Sequence, residues 1–185
     1  MSHPTAKAAS RRVWFDRKFE LGLPPEAFPD IRERVRGTPA RLEERVKGLS
    51  REALTRRSGD AWSIQENVGH LGDLEELWAA RLEELLRGGV DRLRAADLQN
   101  RKTHEARHNE SAIADLPATF RRERARIVAR LDVLGPEDLT RTAIHPRLGQ
   151  PMTIVDLFFF VAEHDDHHLA RISELMRAFG ATEGS

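Results

Sequence analysis

The chain has 185 residues, enough to bury one sizeable core, and its 30 Lys+Arg balance 30 Asp+Glu for a formal net charge of +0. The two signs are mixed along the chain, which excludes a basic field for nucleic acid and a polybasic membrane patch. Cysteine is absent, so disulfides, thiolate metal sites and a cysteine nucleophile are excluded, and His, Asp and Glu remain as strong metal ligands.

Residues 1–29 are expected to form an irregular arm, broken by Pro24, Pro25 and Pro29. Its aromatic patch, Trp14, Phe15 and Phe19, predicts packing on the rest of the chain or on a partner subunit. The opening MSHPTAKAASRR has no apolar h-region of a secretory signal. No apolar run approaches the roughly 18–20 residues that span a bilayer. The expectation is a soluble, cytoplasmic protein.

Residues 30–185 read as one domain of four helical patterns. The first carries Ile31, Val35, Leu42, Val46 and Leu49, with Gly37-Thr38-Pro39 as a kink or restart. The second opens with the capping box S-I-Q-E at Ser63 and runs to Gly88-Gly89, with Ile64, Val68, Leu71, Leu74, Trp78, Leu82 and Leu85 on one face. A polar stretch with little periodicity follows, from Val90 to Ser111. The third helix begins near Asp115-Leu116-Pro117, carries Phe120, Ile127, Leu131 and Leu134, and ends at Gly135. The fourth begins with the capping box T-I-V-D at Thr153 and ends at Phe179-Gly180. No strand pattern competes, so the predicted fold is an all-α four-helix bundle. Glu52-Ala-Leu54-Thr55-Arg56 and Glu137-Asp-Leu139-Thr140-Arg141 precede the two capping boxes, a faint repeat that predicts two helix hairpins of similar plan.

The fourth pattern contains the stretch AEHDDHHLARI, in which His164 and His168 interrupt an apolar stripe. Spaced i and i+4, they share one helix face and can point at one ion. A buried imidazole is unfavourable unless each ring nitrogen finds a partner. The second helix offers a third imidazole, His70, also on an apolar face, with Gly69 and Gly72 allowing close approach. These three are the candidate metal ligands; the bland alternative is three core histidines satisfied by hydrogen bonds. His167 points about 90° away from the pair and reads as a group that either supports the ligands from behind or forms the pocket wall, as does Asn67 from the His70 segment.

His104-Glu105-Ala106-Arg107-His108 matches the H-E-x-x-H of zincin peptidases. Its flanks, NRKT and NESA, give it no apolar face to bury, so the match is read as fortuitous. The same loop is expected to reach over the three-histidine site, with His104 or His108 near substrate. A di-iron carboxylate site is not supported, because the E-x-x-H it needs twice occurs only in this loop.

W-S-I-Q-E-N-V-G-H-L at Trp62–Leu71, followed by E-H-D-D-H-H-L-A-R-I-S-E-L at Glu163–Leu175, resembles the DinB/YfiT-like superfamily. R-G-T-P-A-R-L at Arg36–Leu42 and N-R-K-T-H-E-A at Asn100–Ala106 extend the resemblance over nearly the whole chain beyond the arm. It implies a bundle with up-down-down-up connectivity, commonly a homodimer, holding one divalent ion, Ni²⁺ or Zn²⁺, on three histidines. The family's ligand positions fall on His70, His164 and His168. Characterised relatives are thiol S-transferases or thiol-dependent isomerases using low-molecular-weight thiols, and others are regarded as metal-dependent hydrolases.

Three neutral imidazoles leave an ion an open coordination position, the mark of a catalytic site. The leading expectation is thiol-dependent S-transfer to a small electrophile, for which a chain without cysteine would import its sulfur. The alternatives are hydrolysis by metal-bound hydroxide, and a non-catalytic metal- or ligand-binding bundle of the stress response. Hydrolysis calls for a general base, with Glu66, Asp73, Glu163, Asp165 and Asp166 as candidates.

Overall fold

The computed structural model describes residues 11–180; residues 1–10 of the expected arm and residues 181–185 lie outside the described residues. The bundle consists of α1 (Phe28–Val46), the nearly continuous pair α3 (Ile64–Asp73) and α4 (Glu75–Arg87), α6 (Asp115–Leu131) and α8 (Ile154–Phe179). Short helices α2 (Arg51–Thr55), α5 (Arg101–Glu105) and α7 (Pro136–Leu139) lie in the connections. Both predicted capping boxes form: Ser63 caps α3 reciprocally with Glu66, and Thr153 caps α8 with Asp156. The faint repeat falls on α2 and α7, which bury Leu54 and Leu139 just ahead of these boxes.

Four local expectations need correction. The Gly37-Thr38-Pro39 segment neither kinks nor restarts a helix; α1 runs through it. Pro39 has no N–H for the carbonyl of Val35, and the buried guanidinium of Arg124 donates to that oxygen instead, at 3.2 Å. The second helix is interrupted at Leu74, whose N–H still reaches the His70 carbonyl at 3.3 Å before α4 resumes. The third helix stops at Leu131 rather than Gly135, and Pro136 starts α7. Finally, the all-helical reading missed a small antiparallel hairpin, β1 (Thr142–Ile144) and β2 (Pro151–Thr153), in register Ala143 opposite Met152. Strands of three residues are too short to display an alternation that could outweigh the helical patterns around them.

The core is two apolar clusters, and buried polar residues lie where each long element passes from one to the other. Along α1 the order is Val35 in the first cluster, Thr38, then Leu42 in the second. Along α8 it is Ala162, then His164, Asp165 and His168, then Leu169. The α3–α4 pair and α6 run the opposite way, from Val68 and Leu71 through His70 and Glu75 to Trp78, and from Phe120 through Arg124 to Ile127. The directions are therefore up, down, down, up.

Two consecutive parallel segments, α4 and α6, force a long return connection. It starts at Gly88, whose φ of 69° ends α4 in a conformation that favours glycine, and it runs back past the polar layer. On the way it pairs with β1 through Leu93 N–H to Ile144 O and Ile144 N–H to Asp91 O, then deposits α5 against α3. The arm also packs on the bundle. Phe19 is buried, and the N–H groups of Gly22 and Leu23 donate to Asp156 Oδ1 at 2.9 and 3.0 Å.

Candidate metal centre

The structure brings His70 of α3 together with His164 and His168 of α8. One nitrogen from each lies within 4.8 Å of the others, and all three residues are buried. Ring centroids are 4.6 Å apart for His164–His168, 4.8 Å for His70–His168 and 5.4 Å for His70–His164. The i, i+4 spacing on α8 supplies two imidazoles, and the antiparallel α3 supplies the third.

Two of the rings are held in defined tautomers from behind. Asn67 Nδ2 donates to the Ser63 carbonyl at 2.7 Å, which fixes the amide so that its Oδ1 accepts from His168 Nδ1 at 2.8 Å. His168 then carries its proton on Nδ1 and leaves Nε2 as a lone-pair donor. His70 Nδ1 lies 2.9 Å from Thr103 Oγ1, whose hydroxyl donates to Asp73 Oδ2 at 2.8 Å. The Thr103 oxygen is thereby left to accept from His70 Nδ1, again freeing Nε2. Asp73 Oδ2 also accepts from His108 Nε2 at 2.8 Å. The third ring differs: His164 Nδ1 is buried without a hydrogen-bond partner among the described residues. A cation shared by the three rings would give His164 the interaction that the protein does not.

Burial, the largest effect at each ring, disfavours protonation. It lowers the His70 pKa to about 4 and pushes His164 and His168 well below the ordinary histidine value. Three neutral imidazoles with converging lone pairs are a donor set suited to a borderline divalent ion. The chemistry of the residues fits a metal.

Tryptophan surrounds the cluster. Trp62 lies 4.7 Å from His70 and 6.3 Å from His168, centroid to centroid; Trp14 lies 5.1 Å and Trp78 5.8 Å from His164. These are the three tryptophans of the chain. Trp14 and Trp78 were legible as apolar packing groups, but neither their approach to the histidines nor that of Trp62 was. The histidines open on a cavity of about 340 Å³, within the range of small-molecule sites. His167 lines it, half-buried, with the Arg11 guanidinium against its ring and its pKa lowered to about 4, chiefly by burial.

The loop histidines behave differently from the expectation. His104 is exposed, with its ring 5.7 Å from Trp62, and neither it nor His108 lines this cavity. His108 is buried behind His70, on the far side of Asp73. Its ring packs on Gly69, where an added Cβ would lie 2.3 Å from His108 Cγ. That close approach is what the glycine permits. The H-E-x-x-H segment is no zincin helix, because α5 ends at Glu105 and Arg107 has a φ of 46°. Thr103 was missed by sequence reasoning; nothing marks a threonine in a polar loop as a histidine's partner before the loop is placed.

The five acidic candidates for a general base are all engaged elsewhere, and none lines the cavity. Glu66 accepts from Arg57 and the Ser63 N–H, and Asp73 from Thr103 and His108. Glu163 and Asp166 both accept from Arg34. Asp165 is fully buried beside His164 and faces the other way, onto Arg124. Arg124 uses all five N–H donors: two bonds to Glu75, two to Asp165 and one to the Val35 carbonyl. This saturated cluster ties α1, α4, α6 and α8 together directly beside the histidines.

Two helical hairpins in up-down-down-up order with three inward histidines define a class of metal-site bundle, and comparison with known proteins gives the family. The model of the DinB superfamily matches residues 34–172. This chain belongs to the DinB superfamily. Among solved structures it is similar to YfiT from Bacillus subtilis, described as a probable metal-dependent hydrolase with an unusual four-helix bundle topology. The TM-score is 0.78 at 21% sequence identity, covering 90% of this chain and 95% of that one, a likeness of fold. No curated protein matches the sequence.

Proposed function

We propose that His70, His164 and His168 hold one divalent ion, nickel or zinc, in a metal-dependent enzyme that transfers a low-molecular-weight thiol to a small electrophile. The observation that carries this reading is the convergence of three buried, neutral imidazoles within 4.8 Å at a cavity of about 340 Å³. When bound, such an ion keeps an open position and acidifies a thiol or water placed there. The chain's own residues do the rest. Asn67 and Thr103 orient His168 and His70, and the three tryptophans keep bulk water from the rings.

The fate of the five acidic residues favours the thiol over hydrolysis. Hydrolysis gains from a carboxylate placed to take a proton from the attacking water; the five candidates are engaged away from the cavity, and Asp97, which does line it, accepts from the Gln99 and Arg101 N–H groups and from Arg101 Nε. A thiol starts far more acidic than water and so reaches its anionic form with less help. The second reading, metal-dependent hydrolysis, has the description of YfiT in its favour.

Protein purified without a histidine tag should carry close to one metal ion per chain, and His70→Ala, His164→Ala or His168→Ala should each lower that content sharply. Full metal content in all three variants would refute the ligand set. A small thiol should change the visible spectrum of nickel- or cobalt-substituted protein. An unchanged spectrum, with thiol-independent cleavage of an ester or amide, would favour the hydrolase.

A further inference from the structure

The cavity that opens on the histidines has a second chemical character on its other wall. Arg81 of α4 and His145 and Arg147 of the hairpin loop line it together with Phe160 and Trp78. Arg81 is only 1% exposed and makes no ion pair among the described residues. Its Nε and Nη2 donate to the Arg94 carbonyl, at 3.1 and 2.9 Å, and its Nη1 lies 3.2 Å from His145 Nε2. The contrast with Arg124 is informative. That equally buried guanidinium is neutralised by two carboxylates, whereas Arg81 has a carbonyl and an imidazole.

His145 cannot satisfy its neighbours. The backbone N–H groups of Arg147 and Leu148 point at its Nδ1, at 3.3 and 3.1 Å, while Arg81 points at its Nε2. A neutral imidazole has one lone pair for these two directions, so whichever nitrogen carries the proton, one N–H faces another donor. The backbone amides cannot turn away, which places the proton on Nε2, beside Arg81. Arg147 adds a third unanswered donor: its Nη2 is buried with no hydrogen-bond partner among the described residues, and its guanidinium lies 5.4 Å from the Phe15 ring. Burial lowers the Arg81 pKa to about 10 against the opposing pull of the nearby Glu84 carboxylate, and burial together with the two guanidiniums lowers that of His145 to about 3.

We propose that this wall is an oxyanion subsite, and that the molecule occupying the cavity carries a carboxylate, sulfonate or phosphate group received by Arg81, Arg147 and His145 Nε2–H. Such a group supplies the acceptors that all three donors lack, in a place where charge-assisted hydrogen bonds are strong. It also gives the cavity two chemically distinct ends. Phe160 and His164 are one turn apart on α8, and Trp78, which lies against the His164 ring, also lies 5.5 Å from the Arg81 guanidinium. A small ligand lying across Trp78 and Phe160 spans both ends. The inference names the substrate class for the metal-site reading above, but its own evidence lies in the arginines.

The test uses matched probes. In metal-loaded protein, 3-mercaptopropionate and 3-mercaptopropionamide are titrated calorimetrically; in chelator-treated protein, propionate, methylphosphonate and propionamide are followed by ligand-observed NMR. At least one anionic probe should bind at least about tenfold more tightly than its neutral amide, since one charge-assisted hydrogen bond is worth that much. The preference should vanish in Arg147→Gln and in Arg81→Gln. If the buried Arg81 variant does not fold, Arg147→Gln, on a side chain less buried than that of Arg81, decides alone. Equal affinity for anion and amide in the parent, or a preference that survives Arg147→Gln, overturns the proposal. Metal content of the same samples separates the two readings. Protein without a metal site that still prefers the anion sinks the metal assignment only; metal-loaded protein blind to charge sinks only the subsite.

Discussion

Removing the metal should destabilise the fold by an amount that can be worked out beforehand. An ion bound to the native state alone adds about 4 kcal/mol when free metal is about 1,000 times its dissociation constant. In a chain of this length each kcal/mol moves the melting temperature by roughly 2–4 °C, so a strong chelator should lower it by about 8–16 °C and added nickel or zinc should restore it. The pH dependence has a definite sign. His70, His164 and His168 are held neutral in the fold, with pKa values lowered to about 4 or well below the ordinary value, while their unfolded pKa is about 6.5. Below about 6.5 the unfolded chain binds the extra protons, so stability falls with pH, most steeply between about 6 and 4. The slope contributed by the three rings approaches about 4 kcal/mol per pH unit in metal-free protein. Because burial already excludes protons from the native rings, the gap between metal-loaded and metal-free protein should persist well below pH 6.5. Thermal melts followed by tryptophan fluorescence suit the purpose, since all three tryptophans lie near the site. Melting indifferent to chelator, in protein shown by elemental analysis to have started with metal, would refute the idea that an ion links α3 to α8.

Other perturbations separate the roles of neighbouring residues. Asn67→Leu removes the acceptor that fixes the His168 tautomer and should weaken metal binding by about 10–100-fold in a chelator competition, with helix content unchanged. Arg124→Leu leaves Glu75 and Asp165 buried without their counter-ion and should cost about 3–5 kcal/mol in urea unfolding. A loss below about 1 kcal/mol would show that this cluster is not what holds the four helices in register. Glu105→Gln should leave metal content at the parent level and alter activity only modestly, since Glu105 is exposed on a helix that ends there; a peptidase activity abolished by this substitution with metal retained would revive the zincin reading.

The sequence by itself determined the four long helices and the identity of the converging imidazoles, because both are written in local periodicity. The capping boxes at Ser63 and Thr153 are reciprocal hydrogen bonds between residues three apart, and the i, i+4 pair His164 and His168 shares a face in any α-helix. His70 was legible for the same reason, as a polar interruption of an apolar stripe. Tertiary structure decided what stands behind and around these rings. Thr103 and His108 reach α3 only because two parallel helices require a long return connection. Asp73 turned out to support His70, and Glu163, Asp165 and Asp166 to pair with arginines, distinctions that depend on partners from 30 to more than 130 positions away. The arginine-lined wall of the cavity was the least visible part. It is assembled by a hairpin of two three-residue strands, too short to leave a pattern, and by Arg81, which in sequence looks like any solvated charge on an amphipathic helix. Local hydrogen bonding and helical period act over a few residues and can be read along the chain. Which buried donor meets which acceptor depends on how the elements cross, and only the folded arrangement fixes that.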